Sequence, residues 1–215
     1  MSRVLVVDRL TRRYGKNAAV DGISFTAEPA MITGLLGHNG CGKSTTLRML
    51  AGAMKASSGS FTFNGITGGV DSLAVKYLTG YVPDIGGVFP RLSGWEHMQL
   101  ASRLFRLGPE AQWAPRAKDL LEKLEIADAA PALAGTYSHG MSRKLSTAIA
   151  LLSDPQFLLV DEPFDGVDAA GVTTISELLI GRAEAGATVV LSTHLLNVAE
   201  QLCGRTVHMT KGRLV

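Results

Sequence analysis

An α/β fold built on a parallel, doubly wound sheet is predicted by three features of the sequence. Short β-like segments fill the first third, helical periodicity takes over from Ser93, and two apolar strand candidates, "QFLLVDE" and "TVVLSTH", alternate with helices in the last third. A chain of 215 residues accommodates one domain with a sizeable core and a subdomain, so a single unit over 1–215 is expected.

The strand candidates are justified in order. "RVLVVD", "GISFTAE", "MITGLLG", "SFTFNG" and "LTGYVP" are short apolar or alternating runs bounded by turn residues. "SGWEHMQLASRLFRL" then offers a Ser-x-x-Glu capping box at Ser93 and Glu96, followed by Trp95, Met98, Ala101 and Phe105 near helical spacing. Leu120, Leu121, Leu124 and Ile126 form the apolar face of a second helix, and Met141, Leu145, Ala148 and Leu152 that of a third. Asp154-Pro155 ends the third, because the residue before proline is pushed out of the α region. After "QFLLVDE" a helix is expected around Val172 to Ala185, and after "TVVLSTH" a last one around Leu195 to Cys203.

Composition excludes several classes. The formal net charge is +2 with scattered basic residues, so no nucleic-acid partner is expected. No apolar run approaches the ~20 residues that span a bilayer, and Asp8 and Arg9 interrupt the N-terminal apolar stretch, which leads to a cytoplasmic expectation. Cys41 and Cys203 lack CxxC spacing, and the five histidines lack zinc spacing.

"GLLGHNGCGKSTTLRMLAG" carries the first chemical signal. Gly37-His38-Asn39-Gly40-Cys41-Gly42-Lys43-Ser44 fits G-x-x-x-x-G-K-[ST] between a strand and a helix. Such a loop turns successive backbone N–H groups onto phosphate oxygens, and the partial positive charge of the helix N-terminus adds to the attraction. Lys43 would neutralise the outer phosphates and Ser44 would ligate Mg²⁺. Cys41, a variable position of this loop, is expected near the nucleotide, which would shield it from alkylation.

The second signal is the acid pair that closes "FLLVDE". Ligands gather at the carboxyl ends of parallel strands, which would set Asp161 and Glu162 beside the loop. Asp161 would hold Mg²⁺ through water, and Glu162 would polarise the attacking water as a general base.

Taken in order, these stretches resemble the nucleotide-binding subunits of ABC transporters over essentially the whole chain. Tyr14 stands where the family stacks an aromatic on adenine, Gly37 to Thr45 match its phosphate loop, and Asp161 and Glu162 match its second motif. "YSHGM", Tyr137 to Met141, resembles its signature sequence, "FDGVD" its loop ending at Asp168, and His194 its switch histidine. His139 replaces the first signature glycine, Met141 the glutamine, and Phe164 a small hydroxyl residue. Asp84 stands where a glutamine usually senses Mg²⁺ and the membrane partner.

The resemblance implies a P-loop NTPase with a RecA-like parallel-sheet core, an N-terminal antiparallel β subdomain and an inserted helical signature subdomain. The expected division is 1–84 and 155–215 for the core with the β subdomain, and 85–154 for the helical part. It implies an ATPase with catalytic Lys43, Glu162 and His194, and an ATP site of Tyr14, Gly37, His38, Asn39, Gly40, Cys41, Gly42, Lys43, Ser44 and Thr45. Mg²⁺ would be held by Ser44, Asp84 and Asp161. A second ATP-binding subunit, identical or homologous, would complete each site with Ser138 and Gly140 in a head-to-tail dimer, aided by Asp168. A separate transmembrane permease, of exporter type by the "YS-G-M" remainder, would dock on Phe89 and Leu92, with Trp95 read rather as core of the helical part, and hold the chain at the cytoplasmic face of the membrane. The alternative is a soluble regulatory ATPase of the same family.

Overall fold

A computed structural model describes residues 3–215; Met1 and Ser2 of the expected unit lie outside the described residues. Two sheets organise the chain. One is antiparallel, with β1 (Leu5–Tyr14), β2 (Asn17–Ala27), β4 (Ser58–Phe63) and β5 (Ile66–Thr67) in the order β2-β1-β4-β5. The other combines β3 (Met31–Leu36), β6 (Thr79–Val82), β7 (Phe157–Asp161), β8 (Thr188–Thr193), β9 (Arg205–Thr210) and β10 (Arg213–Leu214) in the order β10-β9-β3-β8-β7-β6. Its pairs β9-β3, β3-β8, β8-β7 and β7-β6 are parallel, and only β10 runs against its neighbour.

The parallel strands are covered on both faces, as near-continuous apolar runs require. Leu158, Val160, Val189 and Leu191 join one core, with helices α3 (Gly94–Leu104), α4 (Glu110–Lys123), α5 (His139–Leu152) and α6 (Ala169–Glu184). Their alternate neighbours Phe157, Leu159 and Val190 join the other, beneath α1 (Lys43–Leu50) and the antiparallel sheet. Phe63 and Phe157 stack with ring centroids 4.7 Å apart and tie the two sheets together. Burying each such side chain contributes about 1.5–3 kcal/mol.

The expected α/β class and its parallel sheet are present, and so is the capping box of α3. Ser93 Oγ accepts from the Glu96 N–H at 3.2 Å, while the Glu96 carboxylate accepts from the Ser93 N–H at 2.7 Å. The chain also forms elements that the residue pattern did not indicate: α2 (Leu73–Leu78), the hairpin partner β5, the terminal strands β9 and β10, and extensions of β1 and β2 to the tight turn at Gly15. The last helix, α7, spans Leu196–Leu202.

Candidate functional site

Four parallel strands deliver the candidate residues to one edge of the sheet. β3 runs into the glycine loop and then α1, β6 into Pro83-Asp84, β7 ends at Asp161-Glu162, and β8 ends just before His194. A cavity of about 190 Å³ opens there, lined by Ala19, Asn39, Gly40, Gly42, Lys43, Ser44, Thr45, Asp84 and Glu162. The Gly42 backbone shows why a glycine is needed. It has φ 114°, and a Cβ placed on it would stand 2.5 Å from the Ala19 carbonyl oxygen.

Lys43 is 4 % exposed, and its ammonium donates to the Gly37 carbonyl at 2.6 Å and the His38 carbonyl at 3.4 Å. It also lies 3.2 Å from Glu162 Oε1, as an ion pair without hydrogen-bond alignment. The other oxygen of Glu162 accepts from the His194 backbone N–H at 3.3 Å and meets His194 Nδ1 at 3.0 Å. Glu162 has φ 47°, in the left-handed region that a non-glycine residue enters at a cost of about 1–2 kcal/mol. From this bend its carboxylate lines the cavity and reaches both Lys43 and His194.

Asp161 is fully buried. Its Oδ1 accepts from Ser44 Oγ at 3.1 Å and from Ser192 Oγ at 2.5 Å, while Oδ2 is buried without a hydrogen-bond partner. Burial raises its pKa above the usual carboxylate value, with smaller raising contributions from Asp84 and Glu162, and the Ser192 and Ser44 hydroxyls work against the shift. An orphan carboxylate oxygen beside a serine hydroxyl is a donor set that suits a hard divalent cation whose other ligands are phosphate and water. Among the described residues no three His, Cys, Asp or Glu side chains are grouped as a complete metal cage.

Asp84 lines the same cavity, and its Oδ1 accepts from the Arg143 guanidinium at 2.9 Å. Cys41 departs from expectation: its side chain is 1 % exposed and packs into the core under the antiparallel sheet, so any part it takes in the loop comes from its backbone. A buried thiol is out of reach of an alkylating reagent, and the expected shielding by MgATP has no basis in this packing. Phe164 likewise packs into a core rather than facing the site.

The remaining candidates lie outside this cavity. Tyr14 is 49 % exposed on β1, with the Arg12 guanidinium 4.7 Å from its ring centroid and its hydroxyl 3.3 Å from the Met54 sulfur. Ser138 is exposed at the N-terminus of α5, where its Oγ accepts from the Met141 N–H at 3.1 Å. A Cβ on Gly140 would meet the Gly166 carbonyl at 2.7 Å, so the head of α5 lies directly against the loop that follows Phe164. Two side-chain contacts fasten that joint: His139 Nε2 lies 3.4 Å from Asp165 Oδ2, and Lys144 pairs with Asp168 at 3.2 Å and holds its carboxyl below the usual range.

Phe89 is 59 % exposed and Leu92 partly buried on the segment between β6 and α3, while Trp95 packs on Trp113 with centroids 5.4 Å apart. Residue-by-residue reading missed Arg143, His97, Asp165 and Lys144. Arg143, Asp165 and Lys144 gain their importance from partners 19 to 59 positions away, which no local pattern signals, whereas His97 binds the nearby backbone of Phe89 and Ser93.

The comparisons with known proteins point to one family and its fold. The family described as ABC transporter matches residues 20–165. "ATP-binding cassette sub-family A member 2" of Rattus norvegicus is 38 % identical over 204 residues, which cover 95 % of this chain and 8 % of that protein. "Nod factor export ATP-binding protein I" of Ralstonia nicotianae is 35 % identical over 212 residues, covering 99 % of this chain and 66 % of that protein. A solved structure described as "Structure of ATP binding subunit of ABC transporter" superposes with a TM-score of 0.90 at 28 % identity, covering 98 % of this chain and 88 % of that one. The chain therefore belongs to the ABC transporter family, as one of its nucleotide-binding domains.

Proposed function

We propose that the chain binds and hydrolyses MgATP in a head-to-tail dimer and thereby powers a transmembrane permease, in the exporting direction. The observation that carries the chemistry is the convergence of Lys43, Ser44, Asp161, Glu162 and His194 at the carboxyl ends of β3, β7 and β8. Lys43 and the loop amides would bind the outer phosphates, and Ser44 and Asp161 would hold a Mg²⁺ ion whose charge offsets theirs. Glu162 takes the proton of the attacking water, and His194 orients the carboxylate through Nδ1 and its backbone N–H. Tyr14 stacks on the adenine with the ring face that Arg12 leaves open.

Dimerisation is supported by the separation of the two anion-binding features. Ser138 and Gly140 head a helix N-terminus, yet neither lines the cavity that holds Lys43. A second copy, identical or homologous, would supply them in trans. In this reading 1–84 and 155–215 form the ATP-binding core and 85–154 the helical part, with Asp168 at the dimer joint. Among the described residues no helix is long and apolar enough to cross a membrane. The permease would be a further polypeptide segment, docked on Phe89, Leu92 and the strongly exposed Ile85, which keeps the domain at the cytoplasmic membrane face. The likeness to a Nod factor export protein favours export.

The test is nucleotide binding with and without Mg²⁺ for the parent chain and Lys43→Ala, with purification from membranes to identify the attached polytopic protein. Equal binding by both chains would sink the site assignment. Isolation without any membrane protein would sink the coupling.

A further inference from the structure

Asp84, a Mg²⁺ ligand by the family resemblance, stands in the phosphate-facing cavity already paired with a buried cation. Besides Glu162, and with Asp161 behind Ser44, the cavity is lined by Asp84, so an incoming polyphosphate meets an additional negative charge. Among the described residues the one basic side chain paired with Asp84 is Arg143. Arg143 lies on the second turn of α5, and its side chain is 5 % exposed. One terminal nitrogen donates to Asp84 Oδ1 at 2.9 Å, the other donates to the Pro83 carbonyl at 2.6 Å, and Nε is buried without a partner. A buried guanidinium is therefore fixed by two consecutive residues of the segment after β6, with its plane set by both contacts. The same helix begins at Ser138, so the fork also joins the cavity wall to the head of α5.

We propose that Arg143 is a positioning and neutralising residue for nucleotide binding: it cancels the charge of Asp84, which makes that carboxylate compatible with phosphate in the cavity. This rests on the ATP site proposed above. Coulomb interaction between like charges several ångströms apart at a partly buried site is strong enough to shift affinity by about tenfold or more. Arg143 acts through Asp84 and not by touching phosphate, so its effect depends on whether a carboxylate stands at position 84.

The experiment is a double-mutant cycle read by equilibrium binding of a fluorescent ATP analogue to the full chain, with and without Mg²⁺. Arg143→Met is expected to weaken binding about tenfold or more. Arg143→Met combined with Asp84→Asn is expected to bind within about threefold of Asp84→Asn alone, so that removing the carboxylate cancels most of the loss. Arg143→Lys, which keeps the charge and loses the fork, should fall between parent and Arg143→Met. If Arg143→Met weakens binding by the same factor in both backgrounds, or leaves it unchanged, the proposal is overturned. Should Arg143→Met not fold by circular dichroism, Arg143→Lys and Arg143→Gln in both backgrounds carry the same comparison. Lys43→Ala is the control: parent-like binding by that variant overturns the ATP site itself, whereas its loss beside a background-independent Arg143 effect overturns only the role of Arg143.

Discussion

Lys43 and Glu162 form a 3.2 Å ion pair in which the lysine is 4 % exposed and the carboxylate is also held by His194. The cation that would receive phosphate and the carboxylate that would activate water are thus bound to each other. We expect a phosphate oxygen to take the place of Glu162 on Lys43 and free the carboxylate for water while His194 still orients it, so that binding and activation would be linked through one exchange.

Glu162→Gln tests the exchange. An amide keeps the size and the contact with His194 but has no basicity, so hydrolysis should fall about 10²–10⁴-fold. ATP binding should be retained or strengthened, because Lys43 no longer has an anionic competitor. Single-turnover hydrolysis and equilibrium binding measured on the same preparation check both halves; a normal turnover rate would remove Glu162 as the base.

Asp161→Asn should separate stability from function. The buried carboxyl has a raised pKa, with desolvation as the main cause, and an oxygen without a partner. An acid whose folded-state pKa is raised burdens the fold when ionised. The burden is absent at low pH, where both states are protonated, and grows as pH rises from the unfolded carboxylate value through the raised folded one. Asp161→Asn should therefore stabilise the metal-free chain near pH 7 by about 1–2 kcal/mol, or roughly 2–4 °C in Tm per kcal/mol. It should do so less at pH 4 and should lose Mg²⁺-dependent binding. A Tm gain that is equal at both pH values would contradict the assignment.

How far the sequence disclosed these sites depended on whether partners are neighbours in the chain. Gly37 to Thr45 and Asp161-Glu162 are contiguous and follow strands, so pattern and chemistry could be read together. β1 was cut short because Arg9, at φ 45°, sits in a register break between Val7 and Leu10, which upsets the two-residue alternation by which a strand is recognised. β9 lies next to the sheet edge and buries only Met209, so it shows little apolar pattern. Asp84–Arg143 and His139–Asp165 join residues 59 and 26 positions apart, and only the fold brings them together.

His97 offers a test of the segment that would face the permease. It is 2 % exposed; its Nδ1 lies 2.7 Å from the Ser93 carbonyl, and its Nε2 accepts from the Phe89 N–H at 2.7 Å. A carbonyl can only accept and an amide N–H can only donate, so these bonds select the neutral ring protonated on Nδ1. The Phe89 ring also stacks on His97, with centroids 5.9 Å apart. His97→Phe keeps a ring for stacking and removes both hydrogen bonds, which should cost about 1–3 kcal/mol in urea unfolding. Coupled transport should fall further than ATP turnover. Unchanged stability would show that these bonds do not fasten the segment.

Complementation between chains tests the dimer. In the proposed head-to-tail dimer each site would join Lys43 of one copy to Ser138 of the other, so Lys43→Ala and Ser138→Arg would each disable both sites of their own homodimer. Ser138→Arg also removes the cap of α5, a loss of about 1 kcal/mol, so circular dichroism must first show a folded chain. In a hybrid, one site carries both lesions and the other joins an unaltered Lys43 to an unaltered Ser138. Random exchange makes about half of the dimers hybrids with one sound site of two, so activity should recover to roughly a quarter of normal, or less if the sites fire together. Activity in the mixture and in neither parent establishes that the sites are shared. If exchange is demonstrated and the mixture stays inactive, nucleotide trapping on the hybrid separates the two causes: a trapped nucleotide means that one sound site is insufficient for turnover, and none means that Ser138 does not complete the site.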